Sequence, residues 1–169
     1  IVAPSRVAQE EVLRSAYHDA GVEPADVHYV ETHGTGTYLG DPIEAAALGN
    51  VVGQNRPEAK TFVIGSVKSN IGHLEAAAGV AGLIKVVLSL QHRQIPPSLH
   101  FKKPNPPIAF VSVRARVQHS LGDWPEDQDE AIAGVSAFGF GGTNAHAVLR
   151  RAPDRGEGGN ATPQRAWIL

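Results

Sequence analysis

Three short stretches carry polar groups that structure alone does not require: His33-Gly34-Thr35-Gly36-Thr37, the run from Lys68 to His73, and Gly139-Phe140-Gly141-Gly142-Thr143-Asn144. Gly34 leaves the His33 imidazole open to a pocket, although a histidine at a strand end also serves to satisfy backbone carbonyls. The Thr35 and Thr37 hydroxyls suit a polar ligand or ordinary turn chemistry equally. His73 follows Gly72 and precedes an apolar helix, whose positive end disfavours the charged imidazole; a neutral imidazole there is a hydrogen-bond donor for catalysis. Lys68 is either a surface lysine or part of a buried network, with Glu31 and Glu75 as candidate partners. The glycines from Gly139 to Gly142 offer N–H groups to an oxyanion or phosphate.

Several chemistries fail on spacing. A dinucleotide fingerprint needs glycine where Asn144 stands, and this loop lies between strands rather than before a helix. Gly134 to Phe138 is one residue short of a nucleophile elbow. A metal site from His33, His73 and Asp41 lacks close HxxxH or HxH spacing. The chain has no cysteine, which excludes a disulfide framework, a thiolate metal site and a cysteine nucleophile within these residues.

The elements that must position these loops follow from periodicity. Ser5 caps a helix over residues 6–20, closed by Gly21. Residues 27–32 read as a strand. Asp41 caps a second helix with Pro42 in its first position and Glu44 completing a capping box, running to about Val52. Residues 61–65 form a buried strand, followed by a polar loop. Residues 74–92 form a helix rich in Ala, Val and Leu, expected to be buried on most sides. A proline-rich arm follows, then a strand over 111–118, an acidic loop over 122–130, and a strand pair over 132–138 and 145–150. Alternating helices and strands, then paired strands, predict an α/β layered fold with a mixed sheet.

Composition bounds the rest. The chain has 169 residues, 42% of them hydrophobic and 19% charged, enough apolar material for a sizeable core. Lys and Arg total 15 against 17 Asp and Glu, a net charge of −2, which argues against nucleic acid as a partner. The longest apolar run is interrupted by Lys85 and too short for a bilayer, so no membrane partner and a cytoplasmic location are expected. The lack of any Met and the apolar Trp167-Ile168-Leu169 ending give the expectation of a fragment of a longer polypeptide.

The loops together resemble the C-terminal half of β-ketoacyl synthases, the condensing enzymes of polyketide and fatty acid synthases. The matching motifs are Val30 to Thr37, Gly40-Asp41-Pro42-Ile43-Glu44, Gly65 to His73 and Gly134 to Asn144, in the family's order, and the variant resembles modular polyketide synthases. The resemblance implies a thiolase-like αβαβα fold, with residues 1–150 as the C-terminal half of a ketosynthase and 151–169 as a linker toward an acyltransferase domain. It implies His33, His73 and Lys68 as catalytic residues. It further implies Phe140 and Gly141 for gating and the oxyanion, and Thr35, Thr37 and Asn144 as contacts to phosphopantetheine. No cofactor is bound by the chain itself; the substrate arrives on the phosphopantetheine arm of an acyl carrier protein. Further implied partners are the N-terminal half and a second copy in a homodimer.

The family's nucleophilic cysteine lies in the N-terminal half, and this chain has none. Either the chain is one piece of a condensing enzyme, the favoured reading on size, or it is a Cys-less decarboxylase or non-catalytic subunit. Thiolase-type chemistry on CoA thioesters would need a second cysteine near the glycine-rich loop.

Overall fold

The computed structural model describes residues 4–57, 59–124 and 131–152, and the backbone of 167–168. The first helix, α1 (Arg6–Ala20), begins as its sequence dictates: Ser5 is extended and its Oγ accepts the Ala8 N–H at 3.3 Å. Gly21 ends it at φ 61°, returning its N–H to the last carbonyls, a conformation that glycine adopts without a Cβ penalty. After it come β1 (Tyr29–Glu31), α2 (Gly40–Val51), β2 (Phe62–Gly65), α3 (Lys68–Ile71) and α4 (Ala78–His92). The second part holds β3 (Gln94–Ile95), α5 (Phe110–Val113), β4 (Ala115–Val117), β5 (Gly122–Asp123), β6 (Ile132–Phe138), β7 (Asn144–Arg150) and β8 (Trp167–Ile168).

The main sheet runs in the order β4-β2-β1-β6-β7-β8, with a separate β3-β5 pair. The strands from β4 to β6 are parallel, whereas β6-β7 and β7-β8 are antiparallel. The sheet is therefore mixed, as expected. Side-chain alternation along β1 sends Val30 to one face and Tyr29 and Glu31 to the other. Val30 joins a core with Leu13 and Tyr17 of α1 and Ala45 and Leu48 of α2. Tyr29 joins a second core with Val86 and Leu90 of α4 and the buried Trp124. Helices thus cover both faces, the three-layer arrangement that buries a parallel sheet.

Several elements differ from the sequence reading. The stretch 111–118 is a helical turn and then a shorter strand. Arg114 adopts φ 57° and its guanidinium bonds the carbonyls of Gly53 and Gln54 beyond α2, which breaks the strand at that point. The polar loop after β2 contains the single turn α3: Ser69 Oγ donates to the Ser66 carbonyl at 2.9 Å, and such local side-chain bonds fold polar segments into turns. Helix α4 starts at Ala78 after a 3₁₀ turn over Glu75–Ala77. It is buried along one face only: Val80, Ile84 and Leu88 lie 58%, 55% and 47% exposed, one above the next at helical spacing. Residues 125–130 of the expected acidic loop and 153–166 of the expected linker lie outside the described residues.

Candidate active site

The parallel strands β1 and β2 end level with one another, with Glu31 paired to Gly65, and β6 continues beside them. All three loops singled out by sequence leave from this one edge, the ligand-binding edge of parallel sheets. His33 and His73 meet there with ring centroids 5.6 Å apart and planes at 85°.

Each imidazole is held by a backbone N–H at Nδ1. Phe138 of β6 donates to His33 Nδ1 at 3.3 Å, and Glu75 donates to His73 Nδ1 at 2.9 Å. An Nδ1 that accepts carries no proton, so in the neutral ring the proton sits on Nε2. The site thereby presents two Nε2–H donors. Burial, the Lys68 ammonium and His73 hold the His33 imidazole down at about 4, so it is neutral at physiological pH. The expected helix-dipole contact to His73 is not its principal restraint, because α4 begins five positions later. Glu75 is instead held at φ 50°, an uncommon conformation for a non-glycine residue, and directs its N–H at the ring.

The loop carrying His33 is clamped by α2. Glu44, buried, accepts the His33 N–H at 2.7 Å and the Gly34 N–H at 2.9 Å, one on each carboxylate oxygen. Asp41 accepts the Gly36 N–H at 3.1 Å. The capping box expected from Asp41 and Glu44 is therefore not formed; both carboxylates serve the loop, and Thr37 Oγ1 accepts the Gly40 N–H at 3.0 Å where the helix begins. Burial raises the Glu44 carboxyl to about 7 against the pull of those two N–H groups. Gly34 has φ 47°, and a Cβ there would stand 2.6 Å from Thr32 Oγ1, so only glycine fits.

Lys68 opens α3, half-buried. Burial lowers its ammonium while Glu31 and Glu44 hold it up. Its expected acidic surroundings are thus Glu31 and Glu44 rather than Glu75, and no hydrogen bond from its Nζ occurs among the described residues. The third loop is the β6-β7 hairpin turn. Gly139 N–H bonds Thr143 O at 2.7 Å and Gly142 N–H bonds Gly139 O at 3.0 Å, while the N–H groups of Phe140 and Gly141 have no partner among the described residues. The Phe140 side chain is 84% exposed. Thr35 and Thr37 hydroxyls lie 3.4 Å apart on the rim, and Asn144 opens β7 opposite Phe138.

Three participants escape the sequence reading. Phe138 packs its ring 5.6 Å from His33 besides orienting it. Glu44 reads in the sequence as a cap. Lys85 reads as an interruption in an apolar run, yet it forms a buried ion pair with Glu31 at 2.8 Å. Its one sequence signal is a single charge in an otherwise apolar helix, which requires a buried partner. Among the described residues, no three His, Asp or Glu side chains cluster as metal ligands.

Comparison with known proteins matches residues 1–102 to the family described as "Beta-ketoacyl synthase, C-terminal domain". The chain belongs to the β-ketoacyl synthase family. Residues 104–169 match the ketoacyl-synthetase C-terminal extension. This ketosynthase segment is 55% identical over 154 residues to a phenolphthiocerol/phthiocerol polyketide synthase of Mycobacterium tuberculosis, covering 91% of this chain and 8% of that protein. It is 51% identical over 156 residues to polyketide synthase GfsA of Streptomyces halstedii, covering 90% of this chain and 2% of that one. Among solved structures, the ketosynthase from module 6 of the bacillaene synthase of Bacillus subtilis 168 superposes with a TM-score of 0.85 at 44% identity, over 91% of this chain and 28% of its own. The thiolase-like fold is that of these ketosynthases, transferase-class enzymes of polyketide synthases, and this chain corresponds to the C-terminal part of the domain. No helix among the described residues is long and apolar enough to cross a membrane.

Proposed function

We propose that this chain supplies the decarboxylating and enolate-binding side of a condensing active site that extends polyketide chains in the cytoplasm. The observation that carries the reading is the meeting of the His33 and His73 rings, 5.6 Å between centroids, each with its Nδ1 bonded to a backbone N–H and His33 in the field of the Lys68 ammonium. A malonyl-type thioester, delivered on the phosphopantetheine arm of an acyl carrier protein, places its thioester oxygen between the two histidines. Loss of CO2 leaves the bonding electron pair on the α-carbon and carbonyl oxygen as an enolate, which the two donors stabilise. The enolate carbon attacks the carbonyl of an acyl group held as a thioester on the cysteine of the N-terminal half. The tetrahedral oxyanion is met by the free N–H groups of Phe140 and Gly141. The cysteine thiolate then leaves, and the β-ketoacyl product remains on the carrier protein.

In this reading Thr35, Thr37 and Asn144 line the path of the pantetheine arm, and Phe140 gates it. The N-terminal half covers the apolar ridge of Val80, Ile84 and Leu88, since a stripe of that kind is otherwise left to water. The complete enzyme is a homodimer, and residues 151–169 lead toward an acyltransferase domain.

The test uses the complete ketosynthase containing this segment. Replacing His33 or His73 with alanine is expected to cut decarboxylation of a malonyl carrier-protein thioester by about two to four orders of magnitude. Unchanged decarboxylation in both variants would sink the reading. Acyl transfer to the cysteine of the N-terminal half separates a condensing enzyme from a bare decarboxylase.

A further inference from the structure

The two carboxylates nearest Lys68 have all their oxygens engaged by other donors. Glu44 holds the His33 and Gly34 N–H groups. Glu31 Oε1 accepts the Val67 N–H at 2.5 Å, and its Oε2 accepts the Tyr29 hydroxyl at 2.5 Å and Lys85 Nζ at 2.8 Å. Lys85 Nζ also lies 2.8 Å from the Tyr29 oxygen, and the ion pair is deeply buried, with side chains 9% and 2% exposed. Gly82, one turn before Lys85, brings α4 within reach: a Cβ there would stand 3.0 Å from Glu31 Cγ.

We infer that Lys85 is a positioning residue for the condensing site, holding Glu31 so that the Lys68 ammonium stays free to face His33 and the substrate. The inference rests on the function proposed above. Its logic is competition between two cations for one anion. A buried carboxylate that loses its ion-pair partner is left strongly uncompensated. Lys68 already feels the Glu31 charge and carries a flexible four-carbon stem. Without Lys85, Lys68 turns onto Glu31 and its charge leaves the reaction pocket. The same carboxylate bonds Val67, just ahead of Lys68, so the displacement also disturbs the segment leading to His73.

The experiment is a variant cycle in the complete ketosynthase, assayed by decarboxylation of a malonyl carrier-protein thioester. Lys85→Gln is expected to lower kcat by about tenfold to a hundredfold, with KM within about twofold because the arm contacts are untouched. Adding Glu31→Gln removes the anion that captures Lys68, and the double variant is expected to recover to within about threefold of the parent. A crystal structure of Lys85→Gln is expected to show Lys68 Nζ bonded to Glu31. A parental kcat in Lys85→Gln, an equal loss in single and double variants, or a Lys68 that has not moved would each overturn the inference. Should Lys85→Gln fail to fold, Lys85→Arg and the double variant decide: the first keeps Glu31 paired and the second removes its charge, so neither lets Lys68 be captured, and a tenfold loss of kcat in either folded protein overturns it. A parent enzyme without decarboxylation sinks the proposed function itself, whereas an active parent with variants that break this pattern sinks only the role of Lys85.

Discussion

The Phe138 N–H points at His33 Nδ1 across 3.3 Å, so the last residue of one strand fixes the proton on a histidine that follows another. Burial, the neighbouring Lys68 charge and His73 keep that ring neutral down to about pH 4. Nitrogen-15 spectra of the complete ketosynthase are expected to show an unprotonated Nδ1 and a protonated Nε2 at pH 7, with His33 titrating near pH 4. A midpoint near the ordinary histidine value would contradict burial and Lys68 as the forces that set its charge.

A second histidine makes acid costly to the fold. His146 of β7 accepts or donates at both ring nitrogens, to Ser136 Oγ at 3.0 Å and to the Tyr17 hydroxyl at 2.9 Å, and burial pushes its imidazole down to about 3. The unfolded chain binds protons at both histidines near pH 6.5 while the native state does not. Stability is therefore present above pH 6.5 and falls as pH drops toward 4, by up to about 1.4 kcal/mol per unit for the buried His146 and by less for the half-buried His33, whose charge water partly screens. Chemical denaturation of the complete enzyme between pH 7 and 4 measures the slope, and His146→Gln is expected to flatten it.

Glu44 acts in the opposite sense. Its folded carboxyl is raised to about 7 from the ordinary value, so between those limits the native state binds the proton that the unfolded chain releases. Its contribution to stability is lost as pH rises through that window. Glu44→Gln is expected to remove this component of the pH slope. It is also expected to lower decarboxylation by about tenfold or more, because one of the two amides beside His33 loses its acceptor. A variant with parental kcat would show that the clamp is not needed for catalysis.

Gly134 lies under the Tyr17–His146 pair: a Cβ there would stand 2.6 Å from His146 Nε2 and 2.8 Å from the Tyr17 oxygen. Gly134→Ala is expected to destabilise the enzyme by about 1–3 kcal/mol through overpacking. An unchanged melting temperature would mean that α1 shifts freely over the sheet.

Residues 1–169 expressed alone are expected to self-associate through Val80, Ile84 and Leu88. Replacing those three with glutamine is expected to give a smaller species in light scattering. A wild-type segment that is monomeric with a cooperative melt would contradict the ridge's role as a covered surface.

Legibility in the sequence follows the range of each interaction. The helix opened by Ser5 and closed by Gly21 can be read directly, because its caps lie within one turn of the residues they serve. The hairpin of β6 and β7 is equally plain from its glycine-rich turn. Asp41 and Glu44 mislead because their spacing matches a capping box. What decides their partners is the fold of the preceding loop, which offers amides at shorter distance. The strand expected over 111–118 fails at Arg114, whose partners lie about sixty residues away. Lys85 cannot be paired from sequence, since its register against Glu31 depends on how closely α4 approaches β1 at Gly82.

The placement of β1 between β2 and β6 also sets a schedule for synthesis. His33 and the amide that orients it are 105 residues apart. At ~5–20 residues per second, the ribosome makes His33 roughly 5 to 20 seconds before it makes Phe138. During that interval the nascent chain holds a histidine whose ring nothing yet aims. A translation product that stops before β6 would retain both histidines and Lys68 but lack the Phe138 amide that orients His33. The message must be read at least as far as Phe138 before the catalytic geometry can exist.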